Sequence, residues 1–189
     1  MGRRQRRQER RDRRRVAAVE PVLGIDVGGV LVDRVAEASD TSFFGDRPME
    51  TPAVADAFDT VAALTAEVFA YRVHIVSKAG ERIARLSRQW LGETGFFDIT
   101  GISPGSVHFV RRRADKASVC EALGITHFVD DRLDVLAHLD TVAHRYLFTG
   151  GLGDNPRPAP IPEDIVMTED WPATAKAIRS TLERAARQP

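Results

Sequence analysis

The chain has 189 residues, which is enough for one α/β domain with a substantial core and short for two. Hydrophobic residues make up 43% and charged residues 29%, as in ordinary globular proteins, and no apolar run approaches the ~20 residues that a membrane span needs. The formal net charge of +0 hides an asymmetry, because residues 1–15 hold nine arginines and two acidic residues, which leaves the rest of the chain at −7.

Residues 1–15 form an Arg-rich segment without hydrophobic periodicity, so we expect a disordered tail ahead of a single domain over residues 16–189. Such a tail can bind nucleic acid or another polyanion through counterion release. A solvated tail with no partner and an upstream-extended reading frame are two simpler interpretations. No apolar segment of the signal type follows the arginines, so we expect neither export nor a membrane partner.

The first predicted element is the stretch 22–33, an uninterrupted apolar strand that runs into Asp26 and then into Gly28 and Gly29. A continuous β-branched run is typical of a strand buried in a parallel sheet. Asp26 then falls at the carboxyl end of that strand, where open α/β sheets bind their ligands. The two glycines permit a sharp turn that presents backbone groups to a ligand. An ordinary strand-to-loop turn explains the same residues, so this stretch alone does not identify a site.

The polar segment 33–50 is long for a loop in a compact domain, and such loops often bind or cover ligands. Phe43 and Phe44 within it either cover a site or pack into the core. Thr51 and Pro52 then have the residue types of an N-cap and a first helical turn, and apolar residues follow at helical spacing to residue 68.

The rest of the chain alternates between strand and helix patterns. We predict strands over 71–77, 107–110, 125–129, 145–149 and 165–167, and helices over 80–91, 115–123, 134–139 and 171–187. Residues 150–162 have the composition of a linker. This alternation predicts a parallel sheet with helices on both faces, made of a core over about 22–149 and a C-terminal strand and helix over about 163–187.

Cys120 is the only cysteine, so no intrachain disulfide is possible, and this fits a reducing cytoplasm. Its spacing from Ala117 and Leu123 predicts a thiol buried on a helix. The five histidines show no metal-ligand spacing, and packing in the core or at a sheet edge is the expectation for His74.

Side chains that can do chemistry follow the ends of several predicted strands. They are Asp26, Ser77, Lys78, Lys116, Asp130, Asp131 and Asp134. Because the carboxyl ends of parallel strands lie at one edge of a sheet, we expect these residues to meet there. Three carboxylates on one edge repel one another unless a hard cation lies among them, and oxygen ligands suit Mg²⁺. A hydroxyl, a lysine and backbone amides then supply donors for a phosphate.

In this order the residues resemble the motifs of the haloacid dehalogenase-like (HAD) superfamily, which consists mostly of Mg²⁺-dependent phosphatases and phosphotransferases. The resemblance covers residues 22–149 and implies a three-layer α/β/α Rossmann-like fold. It implies that Asp26 is the nucleophile, that the Ser77 hydroxyl binds phosphate, and that Lys116 steadies both groups. Lys78 is a weaker candidate for the lysine, and Gly29 is a further candidate for contact with the phosphate.

The same resemblance implies a Mg²⁺ site. Its ligands would be the Asp26 carboxylate, the Gly28 carbonyl, and Asp130 and Asp131, which bind directly or through water. Asp134 is an alternative for completing the last motif, since its spacing can be aligned in two ways.

One position departs from the family pattern. Members usually have a second Asp two residues after the nucleophile, which protonates the leaving group and later activates water, and this chain has Gly28 there. Loss of a general acid and base typically lowers the rate by ~10²–10⁴, so substrates with good leaving groups should suffer less than alkyl phosphates. Asp33, Asp46 or a substrate hydroxyl are possible substitutes. Non-phosphatase branches of the superfamily also lack this Asp.

The spacing of the motifs leaves no room for a large cap domain, because predicted helices and strands fill the gaps between residues 26, 77 and 116. A capless member leaves its site open, which in the family often accompanies large substrates. Three hypotheses follow. The first is a Mg²⁺-dependent phosphohydrolase of a small or macromolecular phosphorylated substrate, the second is a phosphate- or phosphoprotein-binding module without turnover, and the third is a nucleic-acid end phosphatase that uses the Arg-rich tail.

Overall fold

Six parallel strands form one sheet in the computed structural model, which describes residues 20–33, 44, 47–151 and 160–187. The strands are β1 (Leu23–Ile25), β2 (Val73–Lys78), β3 (Val107–Val110), β4 (His127–Asp130), β5 (His144–Phe148) and β6 (Ile165–Thr168), in the spatial order β3-β2-β1-β4-β5-β6. The chain therefore builds outward from β1 in one direction and then returns to build outward from β4 in the other. This reversal creates a crevice between the carboxyl ends of β1 and β4.

Helices cover both faces of the sheet. They are α1 (Ala57–Glu67), α2 (Glu81–Glu93), α3 (Phe96–Thr100), α4 (Asp115–Ala122), α5 (Leu133–Leu136) and α6 (Trp171–Arg187). One apolar cluster joins α1, α2, α3 and α6 to one face, and a second cluster joins α4 and α5 to the other. The central strand β1 is consequently buried along its whole length. The predicted three-layer α/β/α fold with a parallel sheet is confirmed.

The predicted start of the first helix at Thr51 and Pro52 is wrong. Thr51 ends a short 3₁₀ turn over Pro48–Glu50, and α1 begins only at Ala57. The reason is a competing backbone partner, because Ala53 forms an antiparallel bridge with Val32 and the next amide donates to the carbonyl of Leu31 at 2.9 Å. Pairing with the loop after β1 thus outweighs the local helix signal.

Few helices lie between the first strands in the described part of the chain. Between β2 and β3 lie only α2, the unpredicted helix α3 and a 3₁₀ turn over Pro104–Ser106, and between β1 and β2 the described residues add one 3₁₀ turn and α1. Within those residues there is no cap domain. Phe44 is buried in the core, whereas Phe43, Asp46, residues 1–15 and the linker residues 152–159 lie outside the described part. None of the helices described is long and apolar enough to cross a membrane.

A candidate active site at the carboxyl edge of the sheet

Three carboxylates meet in the crevice between β1 and β4. Asp26 directly follows β1, and its amide donates to the carbonyl of Val129 at 3.0 Å, so it continues the pairing between the two strands. Asp130 ends β4 and Asp131 follows it. All three residues are buried, and each offers an oxygen that lies within 4.8 Å of the others. The expected meeting of these residues is therefore seen in the geometry.

Lys116 connects two of these carboxylates. It lies in the first turn of α4, is 1% exposed, and donates from Nζ to Asp26 Oδ1 at 2.8 Å and to Asp130 Oδ2 at 2.7 Å. Burial by itself lowers the pKa of Lys116, but the two carboxylates outweigh it and raise that pKa above the ordinary lysine value. The ammonium is thus charged and held in place by both carboxylates.

The electrostatics around Asp130 are those of a crowded acidic site. Burial raises the pKa of Asp130 above its usual range, with Asp26 and Asp131 acting in the same direction and Lys116 opposing them. Its Oδ1 accepts a hydrogen bond from the Arg132 amide at 2.9 Å, so both oxygens of Asp130 have a partner. Three carboxylates and one ammonium leave an excess of negative charge, which a bound cation would offset.

The loop after Asp26 folds back on itself. The carbonyl of Val27 accepts from the amides of Leu31 and Val32 at 2.9 Å each, and the Gly29 amide donates to the carbonyl of Val32 at 2.8 Å. Gly29 has a φ of +73°, a left-handed conformation that glycine adopts without strain. The loop is therefore a defined structure rather than a simple connection.

Two consecutive backbone amides of this loop are candidates for binding an anion. Within the described residues, the amides of Val27 and Gly28 donate no hydrogen bond, and adjacent unpaired amides of this kind bind anions. The Gly29 amide is engaged by Val32, so a contact from that amide to phosphate would require this bond to open. Phosphate binding by Gly29 and metal binding by the Gly28 carbonyl remain predictions.

Ser77 and Lys78 lie at the end of β2, the other neighbour of β1. Ile25 pairs with Ile75, so Ser77 lies two residues further toward the carboxyl edge. Ser77 is buried and its hydroxyl makes no hydrogen bond to a described residue, whereas Lys78 pairs with Val110 of β3 and is half-buried. Successive strand residues point to opposite faces, so only one of the two can face a given ligand.

Asp134 lies outside the acidic cluster. It is exposed, and the Arg132 guanidinium donates to its two oxygens at 2.9 and 3.3 Å. Partial burial raises the pKa of Asp134, but Arg132 outweighs it, so the pKa lies below the usual aspartate value. Among the described residues, the metal-type cluster comprises Asp26, Asp130 and Asp131 only.

Two residues contact the loop after Asp26 although no pattern in the sequence indicates that they do. Trp171, which begins α6, donates from Nε1 to the carbonyl of Val30 at 2.8 Å across 141 residues. Gly151 approaches the same loop so closely that a Cβ there would lie 2.2 Å from the carbonyl oxygen of Gly29. A single glycine in a linker-like stretch and a tryptophan at a helix start do not reveal such contacts, because their partners are distant in the sequence.

Comparison with known proteins shows that solved structures share the fold of this chain. No protein-family model and no curated protein matches the sequence. The solved structures that match include the D,D-heptose 1,7-bisphosphate phosphatase from Burkholderia thailandensis, with 15% identity, a TM-score of 0.53, and coverage of 85% of this chain and 99% of that one.

Two further structures are similar to a comparable degree. An uncharacterized protein from Listeria monocytogenes serotype 4b has 13% identity and a TM-score of 0.57, over 86% of this chain and 99% of that chain. A protein from Burkholderia xenovorans LB400 classed as a haloacid dehalogenase-like hydrolase has 13% identity and a TM-score of 0.55, over 86% and 98%. At these identities the likeness establishes a fold shared with HAD-like hydrolases.

Proposed function

We propose that this protein is a Mg²⁺-dependent phosphohydrolase of the HAD type that acts through an aspartyl-phosphate on Asp26. The observation that carries the proposal is the buried Lys116, which bridges Asp26 and Asp130 at the crevice of the sheet. A lysine and three acids buried in an apolar core are costly for stability, so their presence there indicates a function. The fold shared with a bisphosphate phosphatase supports the same conclusion.

The acidic cluster fits Mg²⁺. Its donors are oxygens only, which this cation prefers, and they lie within 4.8 Å of one another. Two ligands on opposite sides of Mg²⁺ are separated by about 4.2 Å, so only small movements would be needed. Asp26 and Asp131, with the Gly28 carbonyl, would hold the ion. Asp130 already accepts two hydrogen bonds, so it would contribute a remaining lone pair or act through water.

The bound ion would offset the negative charge of the carboxylates and of the phosphoryl group and so allow the two to approach. Asp26 Oδ1 accepts from Lys116, whereas Oδ2 accepts no hydrogen bond from a described residue, so Oδ2 is the attacking atom. It forms a bond to phosphorus as the leaving-group oxygen departs with the electrons of its P–O bond. Water then attacks phosphorus, the bond to Asp26 breaks, and inorganic phosphate is released.

Other groups of the chain hold the phosphoryl oxygens in this scheme. They are the Lys116 ammonium, the Ser77 hydroxyl and the amides of Val27 and Gly28. Gly28 has no side chain to protonate the leaving group, so the proposed substrates are acyl phosphates, anhydrides and aryl esters, whose leaving groups need little help. A reducing compartment such as the cytoplasm fits the free thiol of Cys120.

The test is phosphate release from acetyl phosphate, p-nitrophenyl phosphate and glycerol phosphate, measured with Mg²⁺ and with EDTA. We expect Mg²⁺-dependent turnover that decreases in that order and that Asp26→Asn abolishes, while Asp98→Asn, an exposed carboxylate of α3, leaves it unchanged. Equal turnover in Asp26→Asn would exclude the aspartyl-phosphate. Efficient hydrolysis of glycerol phosphate would show that another group replaces the missing acid.

The alternative without turnover rests on Gly28, since a protein that only binds phosphate has no need of the acid. Inorganic phosphate binding in the presence of Mg²⁺ with no release from any of the three substrates would favour that alternative. The nucleic-acid alternative predicts that removal of residues 1–15 weakens binding to an end-phosphorylated oligonucleotide and flattens its salt dependence.

A further inference from the structure

The loop after Asp26 is fixed by a residue from the far end of the chain. Trp171 is fully buried, and its indole N–H donates to the carbonyl of Val30 at 2.8 Å. Within the described residues, no backbone amide donates to that carbonyl, so Trp171 provides its hydrogen bond. A buried carbonyl without a donor is destabilising, so this contact favours the observed conformation of the loop.

The indole itself is held in place. The ring of Phe148, the last residue of β5, lies 5.7 Å from the ring of Trp171, and Gly151 packs against the carbonyl of Gly29 on the same loop. The end of β5, Gly151 and the first residue of α6 thus support residues 27–32. Interiors packed in this way transmit a displacement instead of absorbing it.

We infer that Trp171 is a positioning residue for the site, a role that rests on the proposed function. Its N–H holds loop 27–32 in one conformation. In that conformation the Gly28 carbonyl and the Val27 and Gly28 amides are available to the Mg²⁺ ion and the phosphoryl group that would bind at Asp26. These backbone groups contact cation and phosphate, so the loss of the hydrogen bond weakens the binding of Mg²⁺ and phosphate more than it slows the chemical step.

The chain contains a matched control. Trp90 is the other tryptophan, is equally buried, and donates from Nε1 to a backbone carbonyl at the same distance of 2.8 Å, but its acceptor is Thr51. Trp90→Phe and Trp171→Phe therefore remove the same ring and the same kind of hydrogen bond. Only the second change removes a contact to the loop after Asp26.

The experiment measures the affinity of each variant for Mg²⁺ and, in saturating Mg²⁺, for inorganic phosphate by isothermal titration calorimetry, together with kcat and KM. We expect both variants to lower the melting temperature. Trp171→Phe should raise both dissociation constants and KM about tenfold, equivalent to about 1.4 kcal/mol, while kcat at saturation falls less than threefold. Trp90→Phe should keep wild-type dissociation constants.

A replacement that keeps the bicyclic ring and removes only the N–H separates the loss of the hydrogen bond from a loss of packing. In the Trp90→Phe background, incorporation of benzothienylalanine changes Trp171 alone, with sulfur in place of the N–H, and should reproduce the loss of affinity. Equal effects of the two Phe variants, or normal affinity without the N–H, would overturn the inference and leave the proposed function intact. If the wild-type protein binds neither Mg²⁺ nor phosphate, both proposals fail.

Discussion

Both ends of the sheet bury polar side chains, but the carboxyl end holds a charged lysine, whereas the amino end holds a histidine that is neutral at pH 7. At the carboxyl end, Asp26, Lys116 and Asp130 form a charged cluster with short hydrogen bonds. At the amino end, His127 opens β4 and pairs with His144 of β5, and burial followed by the neighbouring histidine lowers the pKa of His127 to about 3. Among the residues that the structure describes, its buried Nε2 has no hydrogen-bond partner.

Buried polar side chains at the two ends of the sheet therefore have different explanations. The histidines avoid the cost of a buried charge by remaining neutral, and their rings pack, at 4.5 Å between the centroids of His127 and His144. At the carboxyl end Lys116 keeps its charge, which Asp26 and Asp130 compensate, and such buried ion pairs are expensive and rarely improve stability. Charges that persist despite that cost indicate a function, whereas neutral buried histidines need no explanation beyond packing.

Removal of the lysine at the centre of the charged cluster should destabilise the protein most. Lys116→Met keeps most of the side-chain volume but leaves Asp26 and Asp130 buried without their cation, so the free energy of unfolding should fall by about 3–5 kcal/mol. Activity should be lost as well. Urea unfolding of Lys116→Met beside Lys176→Met, which alters an exposed lysine of α6, measures the difference. Similar stabilities in the two variants would mean that the cluster contributes no net attraction.

A high Mg²⁺ concentration should reduce that difference. With Lys116 absent, Asp26 and Asp130 lose the cation that bridges them, so an added Mg²⁺ ion takes over part of its role and raises the melting temperature of Lys116→Met more than that of the wild-type protein. An equal rise in both proteins would argue against a cation site among these acids.

A smaller effect on stability is expected at Gly151, which lies against the loop after Asp26. A Cβ at position 151 would lie 2.2 Å from the carbonyl oxygen of Gly29, so Gly151→Ala must displace backbone and should lower stability by about 1–3 kcal/mol. Gly92 in α2 has open space around it, and Gly92→Ala should raise stability by about 0.5–1 kcal/mol through helix propensity. Thermal unfolding of the two variants should thus shift in opposite directions.

These contacts mark the limit of what the sequence predicts. The six strands and the acids after β1 and β4 are visible because apolar runs and adjacent carboxylates are local patterns. The ion pairs of Lys116 follow only from the family resemblance, since composition cannot say which lysine reaches Asp26. The hydrogen bond of Trp171 to the Val30 carbonyl and the pairing of Ala53 with Val32 depend on tertiary packing. The pairing of Ala53 overrides a local helix signal.

The amino end of the sheet predicts a pH dependence. A histidine in the unfolded chain has a pKa of about 6.5, whereas folded His127 has a pKa of about 3, so between these values the unfolded state binds more protons. Stability from this residue is therefore complete above pH 6.5 and falls as the pH decreases toward 3, by at most about 1.4 kcal/mol per pH unit. His127→Phe should flatten this limb in urea titrations at several pH values, and an unchanged slope would mean that His127 is protonated in the fold.

The buried thiol of Cys120 should not react in the folded protein, and its protection depends on the charged cluster. Burial raises the pKa of the Cys120 thiol to about 12, so at neutral pH it is neither ionised nor accessible, and iodoacetamide should label it only after unfolding. Cys120 lies one helical turn after Lys116 on α4, and the helix is held at its start by the ion pairs to Asp26 and Asp130. Labelling should therefore accelerate in Lys116→Met under native conditions and stay slow in Lys176→Met. Rapid labelling of the wild-type protein would show that α4 exposes Cys120 while the ion pairs of Lys116 are intact. The stability of the core around Cys120 would then be independent of the charged cluster.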